Sequence, residues 1–416
     1  MEAATNPPPS PPRHRRRKQQ KKTDDHTNTD ASATDISELP SHITCDILSR
    51  LPLKSIFACK LVCPSFRNLT LDPHFPRLHL SRSPLTLILY RGSNITRTIF
   101  GFLPLNDSLA TLGRRRATIK FNSQIEFPGS TRSIVSCCEG LICLTQYFLS
   151  DRVCIFNPLT RQHFLLPKPK KYQKIVNKRP HIVRSGSGCG SGYGDGVKFE
   201  FGIGFGYCPS TALYKVVQFT GSYEKPPHTL RCRIYTLGVD DKWRNLGSTG
   251  QPIPYFLTLV FFNGALHWIS SGDSLLLLCY FDMEKEQCGT LPLPDHYAVH
   301  SQLEEEFFHL GVVDNCLYIC DERASHSSVN IWVMKDYGNI GSWTLELIIQ
   351  RPLPFGLDWQ LKPVKTLENG TVLMIVKQKT LVSYNPATRV FRRISYDGAR
   401  CWQGSIIGVP SFLPLP

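Results

Sequence analysis

Two cysteines and two histidines near the start of the 416-residue chain have nearly the spacing of a zinc site: Cys59-x3-Cys63 precedes His74-x4-His79 by ten residues. Thiolate and imidazole groups bind Zn²⁺, but zinc fingers use a longer linker and place the cysteines on a β-hairpin. Here the cysteines fall in a stretch with helical periodicity. We therefore predict no metal site and no cofactor.

The other reactive side chains do not form a catalytic motif. Cys137-Cys138 lacks a Cys-x-x-Cys pattern, and His267, beside Trp268 on a predicted strand, is more typical of a packed core histidine. Glu304-Glu305-Glu306 is expected in a solvated loop. His-Glu-x-x-His, Gly-x-Ser-x-Gly and Gly-x-x-x-x-Gly-Lys motifs do not occur in the sequence. The chain is therefore predicted to catalyse no reaction itself.

Much of the net charge of +15 lies in two segments that are predicted to be unfolded. Residues 1–34 contain too few apolar side chains to offset chain entropy. Within them, a basic cluster is a candidate nuclear-localisation signal: Arg13, Arg15, Arg16, Arg17 and Lys18. Residues 168–198 are basic and then Gly/Ser-rich, which indicates a flexible inserted loop. The charge could aid solubility or attract nucleic acid, and solubility is the favoured interpretation.

Cysteine usage and hydropathy predict the compartment. The 15 cysteines are an odd number, and the N-terminus carries no apolar stretch typical of a signal peptide. The longest apolar run, Leu275 to Phe281, is far shorter than the roughly 20 residues of a membrane helix. We expect free thiols, no membrane partner, and a location in the nucleus, the cytoplasm or both.

Residues 35–80 have the periodicity of short helices. Leu39, Ile43, Ile47 and Leu51 recur every four residues between Pro40 and Pro52, which predicts an amphipathic helix. A second helix is predicted after Pro52, and a third from Cys63-Pro64 to Asp72-Pro73. Three such helices cannot bury all their apolar faces against one another. The remaining apolar surface requires a partner, or the domain that follows.

From residue 84 the periodicity changes to two, which predicts an all-β domain over residues 84–416. Ten segments are predicted as strands: Thr86–Tyr90, Gly140–Leu144, Arg152–Phe156, Tyr214–Phe219, Cys232–Thr236, Ala265–Ile269, Leu276–Phe281, Cys316–Cys320, Val329–Val333 and Thr371–Val376.

A weak internal repeat organises this domain. Tight turns at Glu139-Gly140, Asn263-Gly264, Asp314-Asn315 and Asn369-Gly370 each precede an apolar strand. A second kind of turn, built on Asn157-Pro158, Asp282 and Asn385-Pro386, follows a strand. Repeated units of about 50 residues predict a β-propeller of about six blades, with a two-sheet β-sandwich as the alternative.

Residues 36–80 resemble the F-box. The similarity lies in Leu39-Pro40, Ile43, Ile47-Leu48, Arg50-Leu51-Pro52, Lys54-Ser55, Cys59-Lys60, Val62-Cys63, Phe66-Arg67 and Asp72-Pro73-x-Phe75 to His79-Leu80. The rest resembles the F-box-associated domain of plant F-box proteins, with Cys138-Glu-Gly-Leu141, Ile155-Phe-Asn-Pro-x-Thr-Arg161, Phe201-Gly-Ile-Gly-Phe-Gly-Tyr207, Tyr214-Lys-Val-Val217, Phe262-Asn-Gly-x-Leu-His-Trp268 and Tyr384-Asn-Pro-x-Thr388. Phe66 stands where Trp is usual and Pro64 where Lys is common, which implies weaker docking.

The resemblance implies a substrate-recognition subunit of a Skp–cullin–F-box ubiquitin ligase. Its F-box would bind a Skp-type adaptor, and through it a cullin and a RING subunit, while the β domain holds a protein substrate that the sequence does not identify. The implied adaptor-binding residues are Leu39, Pro40, Ile43, Ile47, Leu48, Leu51, Pro52, Ser55, Leu61, Val62, Cys63 and Phe66. Aromatic candidates for substrate contact are Tyr172, Tyr193, Trp243 and Trp359. The alternative is a non-catalytic propeller that associates with nucleic acid, which the charge pattern disfavours, or binds the adaptor alone.

Overall fold

The computed structural model describes residues 39–94, 97–107, 109, 119–124, 132–146, 149–169, 198–222, 229–254, 258–272, 275–298, 307–323, 327–353, 360–377, 380–396 and 402–415. Several predictions fall on residues outside these ranges: the disordered tail with its basic cluster, nearly all of the 168–198 loop, Glu304–Glu306, Tyr172, Tyr193 and Trp359. The predictions made for them stay predictions.

Short helices open the described chain: α1 (Ser41–Ser49), α2 (Leu53–Val62), α3 (Pro64–Leu69) and α4 (His74–Arg82). Pro40 and Pro52 precede α1 and α2, and Pro64 is the first residue of α3, as its fixed φ and missing N–H allow. The prediction of three helices was wrong by one, because Asp72-Pro73 starts α4 as well as ending α3. The Asp72 carboxylate accepts a hydrogen bond of 2.8 Å from the His74 amide. No helix in the described ranges is long and apolar enough to cross a membrane.

Six four-stranded antiparallel sheets make up the rest of the described fold. We call these sheets blades 1 to 6 and give the strands of each from the innermost to the outermost. Blade 1 contains β24 (Gly404–Gly408), β1 (Thr86–Asn94), β2 (Arg97–Pro104) and β3 (Ile119–Gln124), and blade 2 contains β4 (Arg132–Cys138), β5 (Leu141–Gln146), β6 (Leu149–Phe156) and β7 (His163–Leu165). Blade 3 contains β8 (Lys198–Cys208), β9 (Leu213–Ser222), β10 (Thr229–Thr236) and β11 (Arg244–Pro252), and blade 4 contains β12 (Val260–Phe262), β13 (Ala265–Gly272), β14 (Leu275–Asp282) and β15 (Gln287–Leu291). Blade 5 contains β16 (Phe308–Val313), β17 (Cys316–Asp321), β18 (Ser328–Met334) and β19 (Trp343–Gln350), and blade 6 contains β20 (Leu361–Thr366), β21 (Val372–Val376), β22 (Thr380–Asn385) and β23 (Val390–Arg393). A short helix, α5 (Asp295–Ala298), and a 3-10 turn at Ile340–Ser342 lie between strands. Each of the ten predicted strands overlaps an observed one.

The sheets close into a ring, which confirms the six-bladed propeller and rules out the sandwich. A separate apolar cluster fills each boundary between neighbouring blades. The boundary between the first and last blades is filled by Leu87 and Leu89 from β1 with Leu373 and Leu381 from blade 6. A sandwich would have one core between two sheets instead.

Blade 1 joins the two ends of the described propeller. Its inner strand β24 pairs with β1, from Thr86 opposite Gly408 to Tyr90 opposite Gly404. The ring is therefore closed by backbone hydrogen bonds between segments more than 300 residues apart. This closure also brings residues 409–415, which follow β24, back to helices α1–α4.

The turns predicted from the repeat are observed. Both residues have positive φ at Glu139-Gly140, Asn263-Gly264 and Asp314-Asn315, as type I′ hairpins require, whereas at Asn369-Gly370 only the glycine does. At Asn157, Asp282 and Asn385 the side-chain oxygen accepts hydrogen bonds from backbone amides two or three residues ahead. The Asn-Pro and Asp turns therefore share one type of side-chain-to-backbone hydrogen bonding, which occurs in three blades.

Two glycines of the Phe201–Tyr207 segment allow blades 3 and 4 to pack closely. A Cβ on Gly204 would lie 2.2 Å from Leu266 Cδ1, and one on Gly206 would lie 2.3 Å from the Phe261 ring. Side chains at these positions would displace the neighbouring blade. The alternating glycines therefore allow the close packing of these two blades.

Candidate functional site

The most exposed apolar side chains of the described chain are concentrated on the helices. Leu61 and Val62, at the end of α2, are 88% and 72% exposed, and Leu71, after α3, is 69% exposed. Leu39, Ile43 and Ile47 add a row along α1 that is also exposed. We call Leu39, Ile43, Ile47, Leu61, Val62 and Leu71 the helical apolar surface. Half of the exposed large apolar side chains in the described residues belong to it.

An open groove of about 560 Å³ borders this surface at Leu39 and Leu71, between the start of α1 and α3. Leu39, Phe66, Leu69 and Leu71 give it apolar walls, and Ser65 is among the polar residues that line it. A groove of this kind can accept apolar side chains of another protein, with the hydroxyl and amide groups at its edge left to form hydrogen bonds.

The structure separates the predicted adaptor-binding residues by exposure. Leu39, Pro40, Ile43, Ile47, Pro52, Leu61 and Val62 are exposed; Leu51, Ser55 and Cys63 are half-buried; Leu48 and Phe66 are buried. Leu48 and Phe66 belong to the core that the helices share with the propeller. Leu71 was not predicted, although it directly precedes the Asp72-Pro73 helix boundary.

Helices α1–α4 rest on the propeller through their second apolar face. Ile56 and Phe75 are fully buried in the same cluster as Ile88, Phe100 and Phe156 of blades 1 and 2. The helices therefore have two apolar faces beyond those that they bury against one another. One face is covered by the following domain, and the helical apolar surface remains exposed.

Comparison with known families identifies both parts of the chain. A family model described as the F-box domain matches residues 36–78, and one described as the F-box associated beta propeller domain matches residues 111–361. The chain belongs to the F-box-associated propeller family. The resemblance seen in the sequence is thereby confirmed.

Relatives of this F-box protein span its length. F-box protein At3g07870 of Arabidopsis thaliana is 27% identical, and the alignment covers 92% of this chain and 93% of the relative. F-box protein CPR1 of the same plant is 25% identical over 84% of this chain and 82% of the relative. Among solved structures, TolB from Acinetobacter baumannii is similar with a TM-score of 0.39 and 7% identity, over 83% of this chain and 71% of TolB.

Within the F-box, ion pairs connect α1 to α4. The Arg82 guanidinium donates to the Asp46 carboxylate, and also to the Asp46 carbonyl oxygen at 3.0 Å. Arg50 donates to the same carboxylate at 3.0 Å. Hydrogen bonds from Arg50 and Arg82 lower the pKa of Asp46. Because Arg50 is exposed and Asp46 and Arg82 are only partly buried, the pairs orient the helices more than they stabilise them.

The residues that resembled a zinc site have other contacts. His79 is buried, its ring nitrogens lie 3.1 and 3.2 Å from the Ser83 hydroxyl, and burial lowers its pKa to about 4. Cys59 and Cys63 pack against the apolar core, whereas His74 is exposed. Across the described ranges, no group of three or more His, Cys, Asp and Glu side chains is arranged to hold a metal ion.

The remaining candidate residues pack within the F-box-associated propeller. His267 is fully buried, with Nε2 2.7 Å from the Tyr337 hydroxyl, as predicted for a core histidine. Cys137 and Cys138 are free thiols at the end of β4, and burial raises the pKa of Cys137 to about 12. Trp243 donates to the Pro167 carbonyl oxygen at 2.7 Å and is half-buried. It packs against the cluster between blades 2 and 3, and its role in substrate contact stays a prediction.

Proposed function

We propose that this chain is the substrate-recognition subunit of a Skp–cullin–F-box ubiquitin ligase. The helical apolar surface binds a Skp-type adaptor, which connects the chain to a cullin and a RING subunit. The propeller holds a protein substrate. The chain makes no bonds itself; it raises the effective concentration of substrate lysines near the ubiquitin-charged enzyme.

The observation that supports this proposal most directly is the helical apolar surface itself. Its side chains protrude from an F-box whose other face is already covered by the propeller. Burial of apolar area stabilises a complex by about 25 cal/mol per Å², although area alone does not set affinity. Among the predicted contacts, the exposed residues and the half-buried Leu51, Ser55 and Cys63 are retained. Phe66 is retained as a wall of the groove, whereas Leu48 acts indirectly, by supporting the helices.

Replacing Leu61 and Val62 together with Asp tests the adaptor contact. We expect the affinity for a purified Skp-type adaptor to fall about 100-fold or more, because two charges would be placed in an apolar interface. Both side chains are exposed in the free protein, so its stability should change little. Calorimetric titration of the intact chain measures the affinity, and chemical unfolding measures the stability.

Val239→Asp is the matched control, since Val239 is 64% exposed but lies on a propeller turn after β10. It should bind the adaptor like the unmodified chain. Equal binding by the control and the double variant, or no binding by the unmodified chain, contradicts the proposal.

A nuclear as well as a cytoplasmic location is also proposed, on the basic cluster between Arg13 and Lys18. Replacement of its five basic residues with Ala is expected to shift a fluorescent fusion of the intact chain from the nucleus to the cytoplasm. An unchanged nuclear fraction, measured by microscopy against the unmodified fusion, contradicts the assignment of this cluster as the signal.

A further inference from the structure

Residues 409–415, the segment that follows β24, lie across two turns of blade 2. The Ser411 hydroxyl donates to the Glu139 carbonyl oxygen at 2.6 Å. The Asn157 amide donates to the carbonyl oxygens of Ser411 and Leu413, at 3.1 and 2.7 Å. Asn157 is fully buried, so these hydrogen bonds are shielded from water. The segment is therefore held firmly to the propeller.

Phe412, in the middle of this segment, points to the F-box. Its ring centroid lies 5.6 Å from that of Phe57, 5.8 Å from Phe75 and 5.1 Å from His79. The Lys60 ammonium lies 5.0 Å from the same centroid. One ring that is 5% exposed thus contacts both α2 and α4.

Other connections between the F-box and the propeller constrain the angle between them less. The covalent link is residues 83–85, between the end of α4 and the start of β1. Arg77 of α4 forms a hydrogen bond with Tyr207 of β8, which raises the pKa of Arg77, but Arg77 is exposed and such a bond is weak. Apolar burial beneath the helices is strong but not directional. The Phe412 ring adds a contact to both α2 and α4, and hydrogen bonds hold the backbone of the segment that carries it.

We propose that Phe412 is a positioning residue that fixes the orientation of the F-box on the propeller. This inference rests on the proposed function for its consequence. With the adaptor bound at the helices, that orientation determines where the propeller presents lysines to the ubiquitin-charged enzyme. Phe412 is not part of the helical apolar surface, and it acts through α2 and α4.

Distances between the F-box and the propeller test the positioning role without an adaptor. Spin labels carried by unnatural amino acids at His42 and Glu284, both exposed, avoid the native thiols. Pulsed electron paramagnetic resonance of the intact chain should give one narrow distance distribution. Phe412→Ala is expected to broaden that distribution at least twofold, and Phe412→Leu, which keeps apolar volume, should restore most of the original width.

Leu415→Ala is the matched control, since Leu415 lies in the same segment but packs on the cluster between blades 2 and 3. It should leave the distribution narrow. An unchanged width in Phe412→Ala, or equal broadening by Leu415→Ala, overturns the positioning role. Should Phe412→Ala fail to fold, Phe412→Val takes its place: a distribution as narrow as that of the unmodified chain, with lower stability only, also overturns the positioning role.

The reconstituted ligase provides the second measurement. Phe412→Ala should bind the adaptor within twofold of the unmodified chain, while mass spectrometry detects self-ubiquitination on a wider set of propeller lysines. A loss of adaptor affinity, or the same set of modified lysines, contradicts the inference. Failure of the unmodified chain to bind the adaptor would overturn the proposed function and its consequence here, but would leave the distance result unaffected.

Discussion

The free energy of unfolding is expected to fall by roughly 6 kcal/mol between pH 7 and pH 4, because two buried histidines stay neutral in the folded protein. Burial lowers the pKa of both His79 and His267 to about 4, from 6.5. The unfolded chain therefore binds protons on these residues first. Stability from this source is complete above pH 6.5 and is lost as the pH falls to 4.

The surroundings of both rings explain the low pKa values. His79 lies beside Ser83 and between the Phe75 and Phe412 rings. His267 lies against Tyr337, Phe262 and Tyr280. Within the described residues, neither ring is paired with a carboxylate that would stabilise its charged form. Protonation of His79 would weaken the contact between the F-box and the propeller, whereas protonation of His267 would weaken blade 4.

Urea unfolding at several pH values between 7 and 4 measures this effect. His79→Leu and His267→Gln should each remove about half of the loss, roughly 3 kcal/mol. His74→Asn is the control, since His74 is exposed and should leave the pH dependence unchanged. If both buried-site variants keep the original slope, the histidines are not its cause. Hydrogen bonds from Arg244 and Lys215 lower the pKa of Glu286 to about 2. We therefore expect Glu286 to cause a further loss of stability below pH 4.5.

Replacing Glu322 with Ala is expected to destabilise the propeller by about 3–5 kcal/mol, as for the removal of one partner from a buried ionic cluster. Glu322 follows β17 of blade 5 and is fully buried. Its carboxylate accepts hydrogen bonds from the amides of Gln360 and Leu361, at 2.7 and 2.6 Å, where blade 6 begins. Burial alone would raise its pKa, but His309 and these two amides outweigh burial and lower it.

The expected loss should be localised at the boundary between blades 5 and 6. Hydrogen exchange should increase at Leu361 and along β20, and chemical unfolding should give the total change in free energy. Glu284→Ala is the control, because Glu284 is an exposed glutamate on a turn of blade 4. Glu322→Gln, which keeps the shape but places an amide beside two donors, should fall between the two. Equal stability of the Glu322→Ala and Glu284→Ala variants would show that the carboxylate does not join the blades.

Local sequence predicted three of the four F-box helices and ten of the 24 strands in the described ranges. The four-residue spacing of Leu39, Ile43 and Ile47 and the prolines at helix starts predicted α1–α3, because helix periodicity and proline geometry act within a few residues. The Asn157 and Asn385 turns are equally local. By contrast, α4 was missed because Asp72-Pro73 was interpreted only as a stop. The outer strands β7, β11, β15 and β23 were also missed, because they are partly exposed and show little alternation of apolar residues.

The sequence by itself determined an F-box followed by a repeated β domain with room for about six blades. Only the tertiary structure decided which apolar row of the helices faces solvent, since Leu48 and Ile47 are equally apolar and adjacent in the sequence. It also decided that β24 closes blade 1 and that Phe412 meets the F-box. These contacts join residues more than 300 positions apart, and no periodicity within either segment encodes its distant partner.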